Sequence, residues 1–161
     1  TKGVGGGVGH GVVVLGGSSN LVLAANFIHH NSGDGIHVLG SHVLPFEVGS
    51  IGNLLATSGL VITGNDVHDN RGHQIVVGAS NETTITANRL WNSRPSPVGQ
   101  GIALQLHDGA QNAAVENNLI AESTEGIVIA AGARPEAVQL ARLGLPHRLR
   151  LVFVTHLPTQ S

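Results

Sequence analysis

Four segments of the 161-residue chain share one pattern. They are Leu21-Val-Leu-Ala-Ala-Asn26-Phe-Ile-His-His-Asn31, Leu60-Val-Ile-Thr-Gly-Asn65-Asp-Val-His-Asp-Asn70, Thr83-Thr-Ile-Thr-Ala-Asn88-Arg-Leu-Trp-Asn-Ser93 and Ala113-Ala-Val-Glu-Asn-Asn118-Leu-Ile-Ala-Glu-Ser123. A short apolar strand follows each, beginning at Gly35-Ile36, Gln74-Ile75, Gly101-Ile102 and Gly126-Ile127, and Gly11-Val12 opens an earlier copy. The anchoring Asn residues stand 39, 23 and 30 apart, so the bare repeat is about 23 residues, with insertions near 41–57 and 94–100. A fixed internal period constrains the fold more than any other feature, because each unit must bury its apolar face on its neighbours.

Apolar residues alternate within each copy, as in Leu60, Ile62 and Val67, which is the signature of strands with one buried face. Three short strands per copy, turned at Gly, Ser and Asn corners, enclose nothing alone. Stacked turn on turn they form a solenoid around a continuous core. Five coils at one strand spacing each make a body about 24 Å tall. Hydrophobic residues are 41% of the chain but aromatics only 2%, with no Met or Cys, so the core is aliphatic and cysteine chemistry is excluded. Asn26, Asn65, Asn88 and Asn118 then lie over one another, their amides bonding up and down the stack.

The pattern Ile-x-x-Asn-x-Ile…Gly-Ile-x-Val resembles the right-handed parallel β-helix repeat of the pectin-lyase-like superfamily, over roughly residues 9–132. That superfamily includes pectate lyases, polygalacturonases, alginate epimerases and periplasmic carbohydrate-binding and sugar-hydrolase repeat proteins. The resemblance implies an all-β parallel β-helix, a polysaccharide partner and a secreted or periplasmic location. Fold does not settle activity. Residues 1–133 are read as the repeat body and 134–161 as an atypical tail or cap, with a helix over 136–145 and a strand in the apolar run 149–157. The tail is also open to reading as a non-homologous end. An opening on Thr1, inside a Gly-rich stretch, reads as a fragment or a processed chain.

Stacking the copies turns scattered residues into columns. Just before the Gly-Ile strand come His10, Asp34, His73, Gln100 and Glu125; pointing outward one register later come Val13, His37, Val76, Ala103 and Val128. A neutral His takes a proton at neutral pH and a neighbouring carboxylate orients it. His73 or His37 is therefore the expected proton-transfer group, Asp34 its partner, His10 a further member of the column and Arg71 the charge neutraliser. The alternative is that these are polar corner residues facing water, since Asp and His beside Gly are ordinary turn chemistry. The superfamily's cleft runs along this strand, which adds His107 and Asp108 at its far end as substrate-binding candidates, with His42, Pro45, Phe46 and Glu47 in the long insertion.

Lyases and epimerases of acidic sugars neutralise the substrate carboxylate with Lys, Arg or Ca²⁺. Residues 1–133 hold four cations against nine anions, a net −5, while residues 134–161 carry +3. A body of that sign repels a polyuronate unless cations bridge the two. The resemblance makes Ca²⁺ on Asp34 and Glu47 an open option, through hard oxygen ligands. Gly9-His10-Gly11 resembles the polygalacturonase Gly-His-Gly motif, but no Asp-Asp pair occurs, and the epimerase Asp-Pro-His-Asp signature is also missing. On another strand His29, His68 and Trp91 point outward beside Phe27 and Arg89. Two His are too few for a metal, and Trp91 offers a sugar platform or simple cross-strand stacking. The outward Val13, Leu15, Leu39, Val76 and Val128 make an apolar stripe that the insertion at 41–57 is expected to cover. No basic footprint points to nucleic acid, and no apolar run approaches a membrane span. The function expected is a carbohydrate-directed β-helix, a polysaccharide lyase or epimerase if active. The alternative is a non-catalytic glycan-binding or structural solenoid, or an inactive fragment.

Overall fold

The computed structural model describes residues 9–39, 57–96, 99–107, 109–130, 132–135, 137–141 and 151–153. The first coil holds β1 (Val12–Val14), β2 (Val22–Ala24) and β3 (Phe27–His29). The second holds β4 (Ile36–Val38), β5 (Thr57–Ser58), β6 (Val61–Thr63) and β7 (Asp66–His68), and the third β8 (Ile75–Gly78), β9 (Ser80–Asn81), β10 (Thr84–Thr86) and β11 (Arg89–Trp91). A hairpin, β12 (Pro95–Ser96) and β13 (Gly99–Gln100), precedes the fourth coil, β14 (Ile102–His107) and β15 (Ala114–Ala121). The stack ends with β16 (Glu125–Ile129), β17 (Ala137–Ala141) and β18 (Leu151–Phe153).

One parallel sheet runs β1-β4-β8-β14-β16-β18. The other has two halves, β2-β6-β10-β15-β17 and β3-β7-β11-β15, joined because β15 runs through both. Identical positions stack from coil to coil: Val12, Ile36, Ile75, Leu104, Ile127 and Leu151 are register partners, as are Ile28, Val67, Leu90 and Ile120. Ile36, Ile62, Ile75, Ile85, Leu90, Leu104 and Ile127 are fully buried, so the three walls close on one aliphatic core. Burial of each such side chain contributes about 1.5–3 kcal/mol. The fold is the expected all-β parallel β-helix.

The expected ladder is present. Nδ2 of Asn26, Asn65 and Asn88 each donates to Oδ1 of the next, ending on Asn118, at 2.9 Å throughout. The same Oδ1 atoms accept backbone N–H groups at the bend. Each bend is made by the residue before the ladder Asn, with positive φ at Ala25, Gly64, Ala87 and Asn117.

Two expectations are corrected. In the fourth coil Leu104, not Ile102, continues the Ile75 position, because Pro95–Ser96 pair antiparallel with Gly99–Gln100 and the chain is offset by two residues. Gln100 thus leaves the column, Ile102 stands level with Glu125, and Ala103 is buried while Gln105 takes the outward place. Residues 137–141, expected to be helical, form a strand on β15, where a neighbouring edge supplying backbone partners overrides local helix propensity. The outward apolar stripe is covered in part: Val76 and Val128 are 3% and 5% accessible, whereas Val13 and Leu15 are 44% and 63%. The insertion expected to cover it lies outside the described residues, save Thr57.

Candidate functional site

The corner leading into the first sheet repeats a short backbone motif. Gly9, Gly33 and Gly72 stack through Gly33 N–H to Gly9 O at 2.8 Å and Gly72 N–H to Gly33 O at 2.9 Å. The next residue in each coil is His10, Asp34 or His73, so the three side chains meet. Asp34 occupies the middle and is 7% exposed. Its Oδ1 accepts the backbone N–H of His73 at 2.7 Å and lies 3.0 Å from that ring's Nδ1. Its Oδ2 lies 2.6 Å from Nδ1 of His37, three residues on in β4, and 3.2 Å from Nδ1 of His10. The His10 and His37 rings meet edge to face, with centroids 4.6 Å apart.

Burial pushes the Asp34 carboxyl up, but hydrogen bonds from the His37 and His73 side chains outweigh it. The His73 backbone N–H and the charge of His73 act the same way, and together they hold Asp34 well below the usual carboxylate range. Asp34 is therefore an anion at neutral pH that fixes the imidazoles about it. A ring whose Nδ1–H is held by a carboxylate keeps its lone pair on Nε2, the tautomer a general base needs.

Glycine 72 is a site residue that column reasoning passes over. A Cβ there would fall on Asp34 Oδ1 and within 2.9 Å of the Asp34 amide nitrogen. Its missing side chain makes the space in which the carboxylate sits. The signal was in the sequence: Gly precedes each of His10, Asp34 and His73. A second, unforeseen ladder runs beside it, with Asn31 Nδ2 donating to Asn70 Oδ1 at 2.9 Å and Asn70 Nδ2 to Gln74 Oε1 at 2.6 Å.

A family model described as "right handed beta helix region" matches residues 6–140. The chain belongs to the right-handed β-helix family. No curated protein and no solved structure matches it.

Not every candidate joins the cluster of this β-helix. Arg71 is exposed at the same corner, its backbone N–H bonded to Asn31 O at 3.0 Å. His107 lies at the far end of β14 with its ring against Gly78, and Asp108 is outside the described residues. Trp91 stands on the other sheet, stacked on His68 at 4.0 Å between centroids, with Nε1 donating to Asp66 Oδ1 at 2.7 Å. His29 stacks on the opposite face of that column, 5.1 Å from His68, and the Arg89 guanidinium lies 5.5 Å from the Trp91 ring centre. Asp69 flanks it: burial raises its pKa, but hydrogen bonds from His68 and Asn92 and the charges of His68 and His30 bring it below its ordinary value.

Calcium does not fit the donors at Asp34. Ca²⁺ takes six to eight oxygen ligands, whereas one carboxylate here is ringed by three imidazoles, and Glu47 lies outside the described residues. An open cavity of about 430 Å³, lined by Ser93, Arg94, Glu122, Ser123 and Thr124, lies on the connections β11–β14 and β15–β16. That is the same corner of the helix, in later coils. Among the described residues no helix is long and apolar enough to cross a membrane.

Proposed function

We propose that this β-helix is of the pectin-lyase-like kind and acts on a polysaccharide, with the Asp34 corner as a proton-transfer site. The carrying observation is the buried Asp34 carboxylate, whose oxygens meet Nδ1 of His10, His37 and His73 from three successive coils. All three rings turn Nδ1 inward, so Nε2 is the atom left to meet a substrate. An acidic glycan gives such a base its task, because the proton on the carbon beside a uronate carboxylate is acidified by that group.

His73 Nε2 takes this proton. In elimination the freed electron pair becomes a carbon–carbon double bond, the neighbouring glycosidic C–O bond breaks, and the departing oxygen takes a proton from water. In epimerisation a proton returns to the opposite face instead. Arg71, exposed beside His73, is the cation placed to meet the substrate carboxylate. The open cavity at Arg94 on the same corner extends the surface along which a chain could lie.

The test is incubation of the purified protein with polyuronates and neutral polysaccharides, following ultraviolet absorbance of unsaturated products, reducing ends and inversion by NMR. Turnover lost in His73→Ala and Asp34→Ala, with the protein still folded, is expected. Silence from a folded wild-type protein retires the catalytic reading. Saturable glycan binding without turnover, weakened by Trp91→Ala, would favour a binding solenoid, which the stacked His29–His68–Trp91 column supports.

A further inference from the structure

His10 Nδ1 accepts the backbone N–H of Asp34 at 3.1 Å, so that nitrogen carries a lone pair and no proton in this arrangement. Yet Asp34 Oδ2, another acceptor, lies 3.2 Å from the same atom. Two lone pairs facing one another across that distance repel unless a proton or a metal ion lies between them. On the other side of Oδ2 stands Nδ1 of His37. Ligand atoms of His10, Asp34 and His37 all lie within 4.8 Å of one another.

We infer that His10, Asp34 and His37 form a binding site for a first-row divalent transition metal, with zinc as the natural probe. Two imidazoles and one carboxylate are a borderline-soft donor set that suits zinc and its neighbours. Three protein ligands leave a fourth, open position. At metal–ligand distances of about 2.0–2.2 Å, tetrahedral ligand atoms stand about 3.3 Å apart. The His10–Asp34 separation of 3.2 Å already has that value, and the His37–Asp34 separation of 2.6 Å needs to widen. Loading exchanges the Asp34 N–H bond on His10 for the bond to metal, and shifts the His37 proton from Nδ1 to Nε2 so that Nδ1 offers its lone pair in place of its bond to Oδ2.

The outer shell is already built. Oδ1 of Asp34, the oxygen turned away from His10 and His37, is held by the N–H and the ring of His73. Such partners orient a ligating carboxylate and tune its affinity. The other His group makes a useful contrast. His29 stacks on His68 within 5° of parallel and its Nδ1 faces Nδ1 of His30 at 2.7 Å, but among the described residues no third His, Cys, Asp or Glu joins them as Asp34 joins His10 and His37.

The site stands independently of glycan turnover. The whole chain, stripped with chelator, is titrated with zinc against a chromophoric competitor, and with cobalt while visible d–d bands are recorded. Expected are one metal per chain, four-coordinate cobalt bands, and a higher unfolding temperature with zinc. His10→Ala and His37→Ala should weaken binding by about tenfold or more, while His29→Ala leaves it unchanged. His10 sits at a partly open corner, so its variant should keep the fold; the wild-type cobalt spectrum decides the matter if it does not. No stoichiometric binding, or binding lost with His29→Ala and kept in His10→Ala, overturns the inference. Metal bound without turnover keeps it and retires the catalytic reading; turnover that survives chelation, with no zinc bound, does the reverse.

Discussion

The Asp34 carboxylate carries a pH signature of its own. Its folded pKa lies below the unfolded value, so its stabilisation is fully present above the unfolded pKa and is lost as pH falls through the folded one. The window therefore lies below about pH 4. In chelator-treated protein, urea unfolding across that range should show wild type losing stability faster than Asp34→Asn. Parallel curves would mean that the carboxylate is not the group held by His37 and His73. A second residue tests the packing that seats it. Gly72→Ala pushes a methyl onto Asp34 Oδ1 and toward the backbone of Gly33 and Asp34. Backbone cannot yield as a flexible side chain does, so a loss of about 1–3 kcal/mol is expected. The nitrogen NMR shifts of the His73 ring should change with it, because that ring loses its carboxylate; unchanged shifts would place the strain elsewhere. Gly64, at φ 63°, makes the smaller claim. Gly64→Ala should cost about 1 kcal/mol, the ordinary left-handed penalty, since a Cβ there meets nothing nearer than 4.0 Å.

At the scale of the strand and its ladder, the central Asn matters more than the terminal one. Asn88 accepts the N–H and Nδ2 of Asn65 and donates to Ile62 O and Asn118, all buried. Removing it leaves several groups without partners, at about 1–3 kcal/mol each. Asn88→Ala should therefore lower stability by about 3 kcal/mol or more, and Asn26→Ala, at the exposed end, by about 1 kcal/mol. Equal losses in urea unfolding would show that the ladder is not a cooperative buried unit. These elements were legible in the sequence because stacking repeats its demands: the same bend needs the same Asn, and the same wall the same Ile. The His10–Asp34–His73 column was legible for that reason, as Gly-His, Gly-Asp and Gly-His recur before the strand. Where the period breaks, legibility fails. The antiparallel pair of Pro95–Ser96 with Gly99–Gln100 offsets the fourth coil by two residues, a displacement no single-copy alignment distinguishes from a turn, and Gln100 leaves the column with it. The strand at 137–141 was missed because its partner, β15, is a tertiary fact, whereas its composition reads as helix. The convergence of three Nδ1 atoms on one carboxylate depends on ring orientation, which spacing does not encode.

For the molecule as a whole, stability is distributed along the stack. Each coil touches only its neighbours, so a solenoid approximates a one-dimensional array in which interior units are held from both sides. Among the described residues, strands β4, β8, β14 and β16 are hydrogen-bonded on both edges, while β1, β2 and β3 pair on one edge, with β4, β6 and β7. The first coil also leaves apolar surface in water: Phe27 is 65% accessible and Val22 58%. Less burial and half the pairing predict local opening there at lower free energy than in the middle. Native-state amide exchange should show protection in β1–β3 at least about a hundredfold below that in β8 and β14. His10 belongs to this coil, paired on one edge among the described residues, and Asp34 leads into β4, paired on both. Zinc bridging them would tie the first coil to the second, and protection in β1 should then rise on loading while β14 stays unchanged. Uniform protection without metal would mean that the five coils open as one unit; an unaltered β1 with zinc bound would mean that the metal does not span the two.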